Sequence, residues 1–371
     1  LEPDKAYRVE VWLKHDGPAA GKATFRLRNI YEDDVEPIVF TPDGEWTKYE
    51  ATFTVDRLAT KGWTSRMDLE LEGPGTYSVD NFRVYRADTD FLDYLPRDYD
   101  RLKRSGMRYL RTHGTIKTGS WTYSMDQLTN TGGLISRSRS AKNTLPQLLS
   151  IMRKGGVDPW LQIEYHMSPD EWLAFIEYMA APYDPDKDSP QTKPYAAKRY
   201  AQGQTRPWVE EFDSIVFELS NETWNRMFKP WIWPTMIDQA TGKIYRGSGS
   251  SWGEVYGIFQ EYVIGILRSS PYWTPEMEEK FVFHIGGFTK WDYGWNAAKY
   301  SPSTELITHA AYNGGWDEGE GPPQPSPPSY FNVLSQVYQS AINVANINKE
   351  RMIEFNAGRE VQARLGTYEA G

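Results

Sequence analysis

Residues Ile215-Val216-Phe217-Glu218-Leu219-Ser220-Asn221-Glu222 form an apolar run that ends in an amide and a carboxylate, and Leu365-Gly366-Thr367-Tyr368-Glu369 ends in a lone glutamate. An Asn-Glu pair at the end of one strand and a Glu at the end of a later one would set two carboxylates facing each other across the mouth of a barrel. Hydrolysis of a glycosidic bond needs that arrangement: one carboxyl protonates the leaving oxygen while the other acts on the far side of the sugar ring. Glu218 lies on the same side of its strand as Glu222, but four residues at about 3.3 Å each separate them by roughly 13 Å. A double-displacement pair sits about 5 to 5.5 Å apart. Glu218 is therefore excluded as the partner, and Glu369 is the candidate whose local pattern fits.

The elements that must carry these residues change character along the chain. Residues 1–88 read as strands, with alternation at Tyr7–Leu13, Ala23–Leu27, Tyr49–Val55, Met67–Leu71 and Tyr77–Tyr85, separated by Gly-Pro and Pro-Asp-Gly turns. This pattern predicts an antiparallel β-sandwich. Trp12, Trp46 and Trp63 are its candidate sugar platforms, Trp46 being the one expected in the core, and His15 is expected on its surface. Residues 89–105 form a linker and an entry helix closed by Gly106. Residues 106–371 then alternate strand and helix. Strands are expected at Met107–His113, Gly133–Ser136, Pro159–Tyr165, Ile215–Glu222, Phe281–Ile285, Leu306–Tyr312 and Val361–Tyr368. Helices are expected at Leu145–Lys154, Pro169–Ala180, Trp252–Arg268, near Trp295, and at Tyr330–Asn346. Seven repeats predict a (β/α)8 barrel, with Glu222 ending the fourth strand and Glu369 the seventh, at the end where such barrels carry their reactive groups.

Composition narrows the function classes. The 371 residues exceed one ordinary core and favour two domains. A net charge of −9 with no Lys/Arg-rich run leaves no footprint for nucleic acid or an anionic membrane. No apolar stretch approaches the roughly 20 residues of a spanning helix. The absence of Cys excludes disulfides and thiolate metal sites. The five His show no close ligand spacing, so no metal and no cofactor is expected. Fifteen Trp and 24 Tyr suit either sugar faces or a large core.

Two stretches carry a resemblance. The W-x-x-Y-x-x-x-F-x-V run from Trp46 and Tyr77-Ser78-Val79-Asp80-Asn81-Phe82 resemble the jelly roll of carbohydrate-binding modules. An Asn-preceded glutamate ending strand four, with a second glutamate ending strand seven, is similar to the clan A retaining glycoside hydrolases over about residues 107–371. Within that clan, Pro207-Trp208-Val209 and Phe217–Glu222 look most like the arabinofuranosidase and xylosidase branches and certain secreted relatives. The resemblance implies Glu222 as general acid/base, Glu369 as nucleophile and Asn221 as a donor to the sugar 2-hydroxyl, with retention of configuration. Other strand ends supply candidate substrate contacts: Arg111 and His113, Glu164 and His166, His309 and Tyr312, with Trp224 and Trp316 on the loops. Arg111 and Glu218 also suit an ordinary buried ion pair, and His284 either a core position or one directly behind the site residues. In the resembled enzymes a Tyr or His on strand six orients the nucleophile, which points to His309 or Tyr312.

The expected substrate is a neutral β-linked plant- or algal-type polysaccharide, attacked by an endo-acting, secreted or periplasmic enzyme. Arabinofuranosidase- or xylosidase-like exo-action is the alternative. Trp231, Trp233, Trp291, Trp295 and the stiff Pro322–Pro328 loop are candidate cleft walls. A clan A barrel needs an eighth strand and helix after the nucleophile, which predicts further domains, a longer parent or a second chain completing the barrel. Leu1 likewise reads as a cut boundary. A non-catalytic carbohydrate-binding protein and a polysaccharide lyase are the rival functions.

Overall fold

The computed structural model describes residues 1–29, 35–56, 65–89, 96–113, 124–130, 143–164, 167–225, 235–237, 244–246, 252–288, 292–311 and 330–370. It divides into two compact units, Leu1–Ser105 with Asn130–Ala141, and Gly106–Thr129 with Lys142–Gly371. Among the described residues no helix is long and apolar enough to cross a membrane.

The first unit holds β1 (Tyr7–Asp16), β2 (Lys22–Asn29), β3 (Ile38–Phe40), β4 (Thr47–Phe53), β5 (Ser65–Glu72), β6 (Thr76–Arg86) and helix α1 (Pro96–Arg104). The strands form two antiparallel sheets, β4-β1-β6 and β3-β2-β5. Alternate side chains from both sheets, Val9, Val11 and Leu13 with Ala23, Phe25 and Leu27, meet in one apolar core that Phe40, Phe53 and Val55 complete. The same parity corrects two expectations. His15 continues the inward series and is buried, whereas Trp46 shares the parity of exposed Lys48 and Glu50 and is 48% exposed. Trp12 also faces outward, and Trp63 lies outside the described residues.

The second unit holds β7 (Tyr109–Arg111), α2 (Met125–Thr129), α3 (Leu145–Gly155), β8 (Asp158–Ile163), α4 (Pro169–Ala180), α5 (Pro194–Ala201), β9 (Ile215–Leu219), β10 (Thr235–Ile237), β11 (Ile244–Arg246), α6 (Trp252–Arg268), α7 (Pro275–Lys280), β12 (Phe281–Phe288), α8 (Tyr293–Lys299), β13 (Leu306–Ala311), α9 (Tyr330–Asn356) and β14 (Arg364–Ala370). Local chemistry sets the helix starts. Thr144 and Gln147 form a capping box before α3, and the Ser168 hydroxyl accepts from Glu171 N at the start of α4, with Pro169 in its first turn. Gly156, at φ 65°, supplies the left-handed residue that ends α3. β10 and β11 make a separate antiparallel hairpin.

Six strands form one parallel sheet in the order β14-β13-β12-β9-β8-β7. Each new strand joins the same edge, so right-handed crossovers lay the helices on one face. The opposite face carries Arg111, Trp160, Glu218, His284 and Thr308. Five gaps of about 4.8 Å would hold β7 and β14 roughly 24 Å apart in a flat sheet. Yet the Arg111 guanidinium lies 4.9 Å from the Tyr368 ring centroid. The sheet is therefore strongly curled, a half-barrel with its polar face inward.

This architecture corrects the expected fold class, a jelly roll followed by a (β/α)8 barrel lacking only its last strand and helix. A jelly roll takes eight strands, and the described part of the first unit has six, in two three-stranded sheets. The parallel sheet likewise has six strands among the described residues, with no ladder joining β7 to β14. Alternation of strand and helix is shared by open and closed sheets, so period alone did not separate them. The expected second strand at Gly133–Ser136 lies outside the described residues. Asn221 and Glu222 follow the third described parallel strand, and Glu369 sits in the sixth.

Candidate active site

β9 is wholly buried, as a parallel strand covered on both faces must be. Its one charged residue, Glu218, is compensated in detail. Arg111 Nε donates to Glu218 Oε2 at 2.7 Å and Arg111 Nη2 to Glu218 Oε1 at 2.5 Å, while Trp160 Nε1 donates to Glu218 Oε2 at 2.8 Å. Arg111 Nη2 also donates to Asn221 Oδ1 at 2.9 Å. A guanidinium has no acceptor, so this bond fixes which end of the Asn221 amide faces Arg111 and directs Nδ2 away. Nδ2 is buried and makes no hydrogen bond among the described residues.

The strand does not run to Glu222 as the sequence suggested but ends at Leu219, whose carbonyl accepts from Tyr256 OH at 2.7 Å. Beyond it the backbone turns left-handed at Ser220 (φ 65°) and again at Glu222 (φ 41°). These are two of the four non-glycine residues at positive φ among those described. Such conformations persist where the surroundings hold them, and they gather at functional sites. Glu222 is partly buried, and its Oε2 accepts from Asn225 Nδ2 at 2.8 Å.

A second group lies at the ends of β7, β8 and β9. Ser220 Oγ donates to Glu164 Oε2 at 2.7 Å, Gln162 Nε2 to Glu164 Oε1 at 2.9 Å, and His113 Nδ1 approaches Gln162 Oε1 at 3.3 Å. On the other side, Tyr368 lies over Arg111 and its hydroxyl accepts from Trp224 Nε1 at 2.7 Å. Beneath them His284 packs edge-on to Trp160 at 5.0 Å and meets Thr308 Oγ1 at 2.5 Å. Burial, the largest influence, pushes His284 down to about 4, against the pull of the Glu218 carboxylate. It is a neutral, buried residue, in line with its core assignment.

Of the sequence candidates, Asn221, Glu222, Arg111, Glu164 and His113 come together at the ends of β7–β9. His309 does not join them. It has the opposite parity to Thr308 and packs beneath α8, 5.6 Å from Trp295, where burial lowers it to about 4. That corrects its placement at the site mouth. Trp295 is buried and so does not form an open cleft wall, and Trp224, the candidate substrate contact, is buried against Phe288 with ring centroids 5.0 Å apart. Glu369 pairs through its main chain with Ala310 near the C-terminal end of β14. Its side chain lies outside the described residues, as do His166, Tyr312, Trp316, Trp231, Trp233, Trp291 and the Pro322–Pro328 loop. The sequence reading missed Trp160, Gln162, Ser220 and Tyr368 as members of the site. The available signal was the period-2 series Trp160, Gln162, Glu164, polar-tipped groups recurring on one face of a buried strand. Among the described residues no group of three or more His, Asp or Glu is placed to hold a metal ion.

No family model and no curated protein matches the chain. Solved structures do. A family 51 alpha-L-arabinofuranosidase from Bifidobacterium longum is 12% identical over 77% of this chain and 51% of its own, with a TM-score of 0.48. A GH51 arabinofuranosidase from Xanthomonas axonopodis pv. citri is 13% identical over 77% and 52%, with a TM-score of 0.47. The CBM22-1-GH10 modules of Clostridium thermocellum endo-1,4-beta-D-xylanase 10B are 11% identical over 100% and 80%, with a TM-score of 0.32. This chain spans about half the length of the two arabinofuranosidases.

Proposed function

We propose that the protein is a glycoside hydrolase in which Glu222 is the proton donor and Glu369 the second carboxylate. The observation that carries this reading is the Asn221-Glu222 pair. Asn221 is held by Arg111 so that a buried N–H2 group remains to donate, and Glu222 follows it on a left-handed turn. A donor beside a carboxyl at a strand end suits a sugar hydroxyl next to the bond being cleaved, where the contact strengthens as charge develops. Glu222 would protonate the leaving oxygen. Glu369 would attack the anomeric carbon, and Glu222, deprotonated by the first step, would then activate water. The outcome is retention of configuration. A net charge of −9 without a basic run favours a neutral glycan over an anionic one.

The test is hydrolysis of a panel of neutral polysaccharides and aryl glycosides by the wild type and by Glu222→Gln. The substitution is expected to lower kcat/KM on substrates with poor leaving groups by about 10²–10⁴, the range of general acid catalysis. Unchanged activity would refute the assignment. Proton NMR of the first-formed anomer checks retention, and an inverted product would remove the nucleophile role from Glu369.

A further inference from the structure

Ser220 is an L-residue at φ 65°, a conformation that glycine takes without steric cost and serine does not. It sits between the end of β9 and the Asn221-Glu222 pair, so its backbone angles set where both side chains point. Two contacts hold it, and both come from β8 or the residue just beyond. Ser220 N donates to Ile163 O at 2.6 Å, extending the β8–β9 ladder, and Ser220 Oγ donates to Glu164 Oε2 at 2.7 Å. The other carboxylate oxygen of Glu164 accepts from Gln162 Nε2 at 2.9 Å, which steers the carboxylate plane toward Ser220.

We propose that Glu164 is a positioning residue, a latch that holds Ser220 left-handed and thereby aims Asn221 and Glu222. This rests on the glycosidase reading. Both carboxylate oxygens of Glu164 engage protein donors, Ser220 Oγ and Gln162 Nε2. The Gln162 amide carries the support one strand further, to His113 on the chain leaving β7, so three neighbouring strand ends brace the turn.

Steady-state kinetics on matched phenyl and 2,4-dinitrophenyl glycosides test the latch. Phenolate needs a proton to depart and dinitrophenolate does not, so misaiming Glu222 slows only the first in kcat/KM, which reports the bond-cleaving step. Glu164→Ala is expected to lower kcat/KM on the phenyl glycoside by about 10²-fold or more, the scale of an ångström of misplacement, with a clearly smaller loss on the dinitrophenyl glycoside, which feels the misaimed Asn221 but not the misaimed Glu222. Ser220→Gly, free to adopt the turn, should retain more activity than Ser220→Ala, and adding Glu164→Ala to Ser220→Gly should cost little more. Equal losses on both glycosides, a glycine variant no better than the alanine one, or additive effects would each overturn the latch. A wild type that cleaves neither aryl glycosides nor any polysaccharide of the panel would overturn the glycosidase reading instead. The crystal structure of Glu164→Ala then decides the latch by itself: residue 220 leaving the left-handed region supports it, and residue 220 unmoved refutes it.

Discussion

Removing Arg111 should be costly because of what it leaves behind. Glu218 is 3% exposed, and two of the three hydrogen bonds described for it above come from Arg111. Breaking a buried ion pair from one side costs about 3–5 kcal/mol, because the remaining charge is desolvated without compensation. Trp160 Nε1 still donates to Glu218 in an Arg111→Ala variant, so the lower end, about 3 kcal/mol, is expected. That is roughly a hundredfold in the unfolding equilibrium. The assay is urea denaturation at pH 7, followed by tryptophan fluorescence with a second probe to separate the transitions of the two units. The denaturant slope should stay constant while the midpoint falls. Replacing the pair with apolar groups, Arg111→Met with Glu218→Leu, should recover most of the loss, because neither charge is then stranded. The double variant should nevertheless be impaired in catalysis, by up to what Asn221→Ala loses, since Asn221 loses the bond that orients it. A loss below about 1 kcal/mol for Arg111→Ala, the range of an exposed pair, would refute the argument. So would a double variant as unstable as the single one.

Other outcomes follow from the same geometry. Asn221→Ala removes the buried donor and should lower kcat/KM by about 10²–10³, as loss of one transition-state donor does; aryl glycoside kinetics would measure it, and an unchanged value would remove Asn221 from the site. His284 and His309 are held neutral by burial with values near 4, below the ordinary 6.5. The unfolded chain therefore binds more protons between those values, and the stability they contribute is present above about 6.5 and lost as pH falls toward 4, by roughly 3 kcal/mol each. Urea midpoints measured from pH 7 to 4 should fall across that window, and a flat profile would contradict the burial argument. A Cβ at Gly257 would overlap the Ala297 carbonyl oxygen, where α6 crosses α8. Gly257→Ala should therefore destabilise by about 3 kcal/mol, and an unchanged melting temperature would show that the helices separate freely.

Much of this was legible where one physical signal dominated. α4 and α6 begin and end at the expected residues, since a Ser-Pro start and a long apolar period leave few alternatives. Short elements such as α5, α7 and the β10–β11 hairpin carry too few residues to show a period. The end of β9 was misjudged by three residues because the chain turns left-handed at Ser220 and Glu222, residue types that seldom do so. His309 was assigned to the mouth by proximity to a strand end, and parity sent it to the helix side. His15 was readable from the Val9, Val11, Leu13 series but was judged by its polarity. The half-barrel curl has no local signature at all. It is visible in Tyr368 meeting Arg111.

That contact has a consequence for the order of events in folding. Arg111 and Glu218 are 107 residues apart in sequence, and Trp224 and Tyr368 are 144 apart. Contacts of such range must await loop closure and slow the search for the native state. A chain emerging from the ribosome completes β7, β8 and β9 well before β14 is available. Until then the sheet has an unpaired edge at β13, and Arg111 lacks the ring that lies over it. The partly built sheet is thus the species most exposed to aggregation, and the candidate site is finished only with the arrival of the sixth strand.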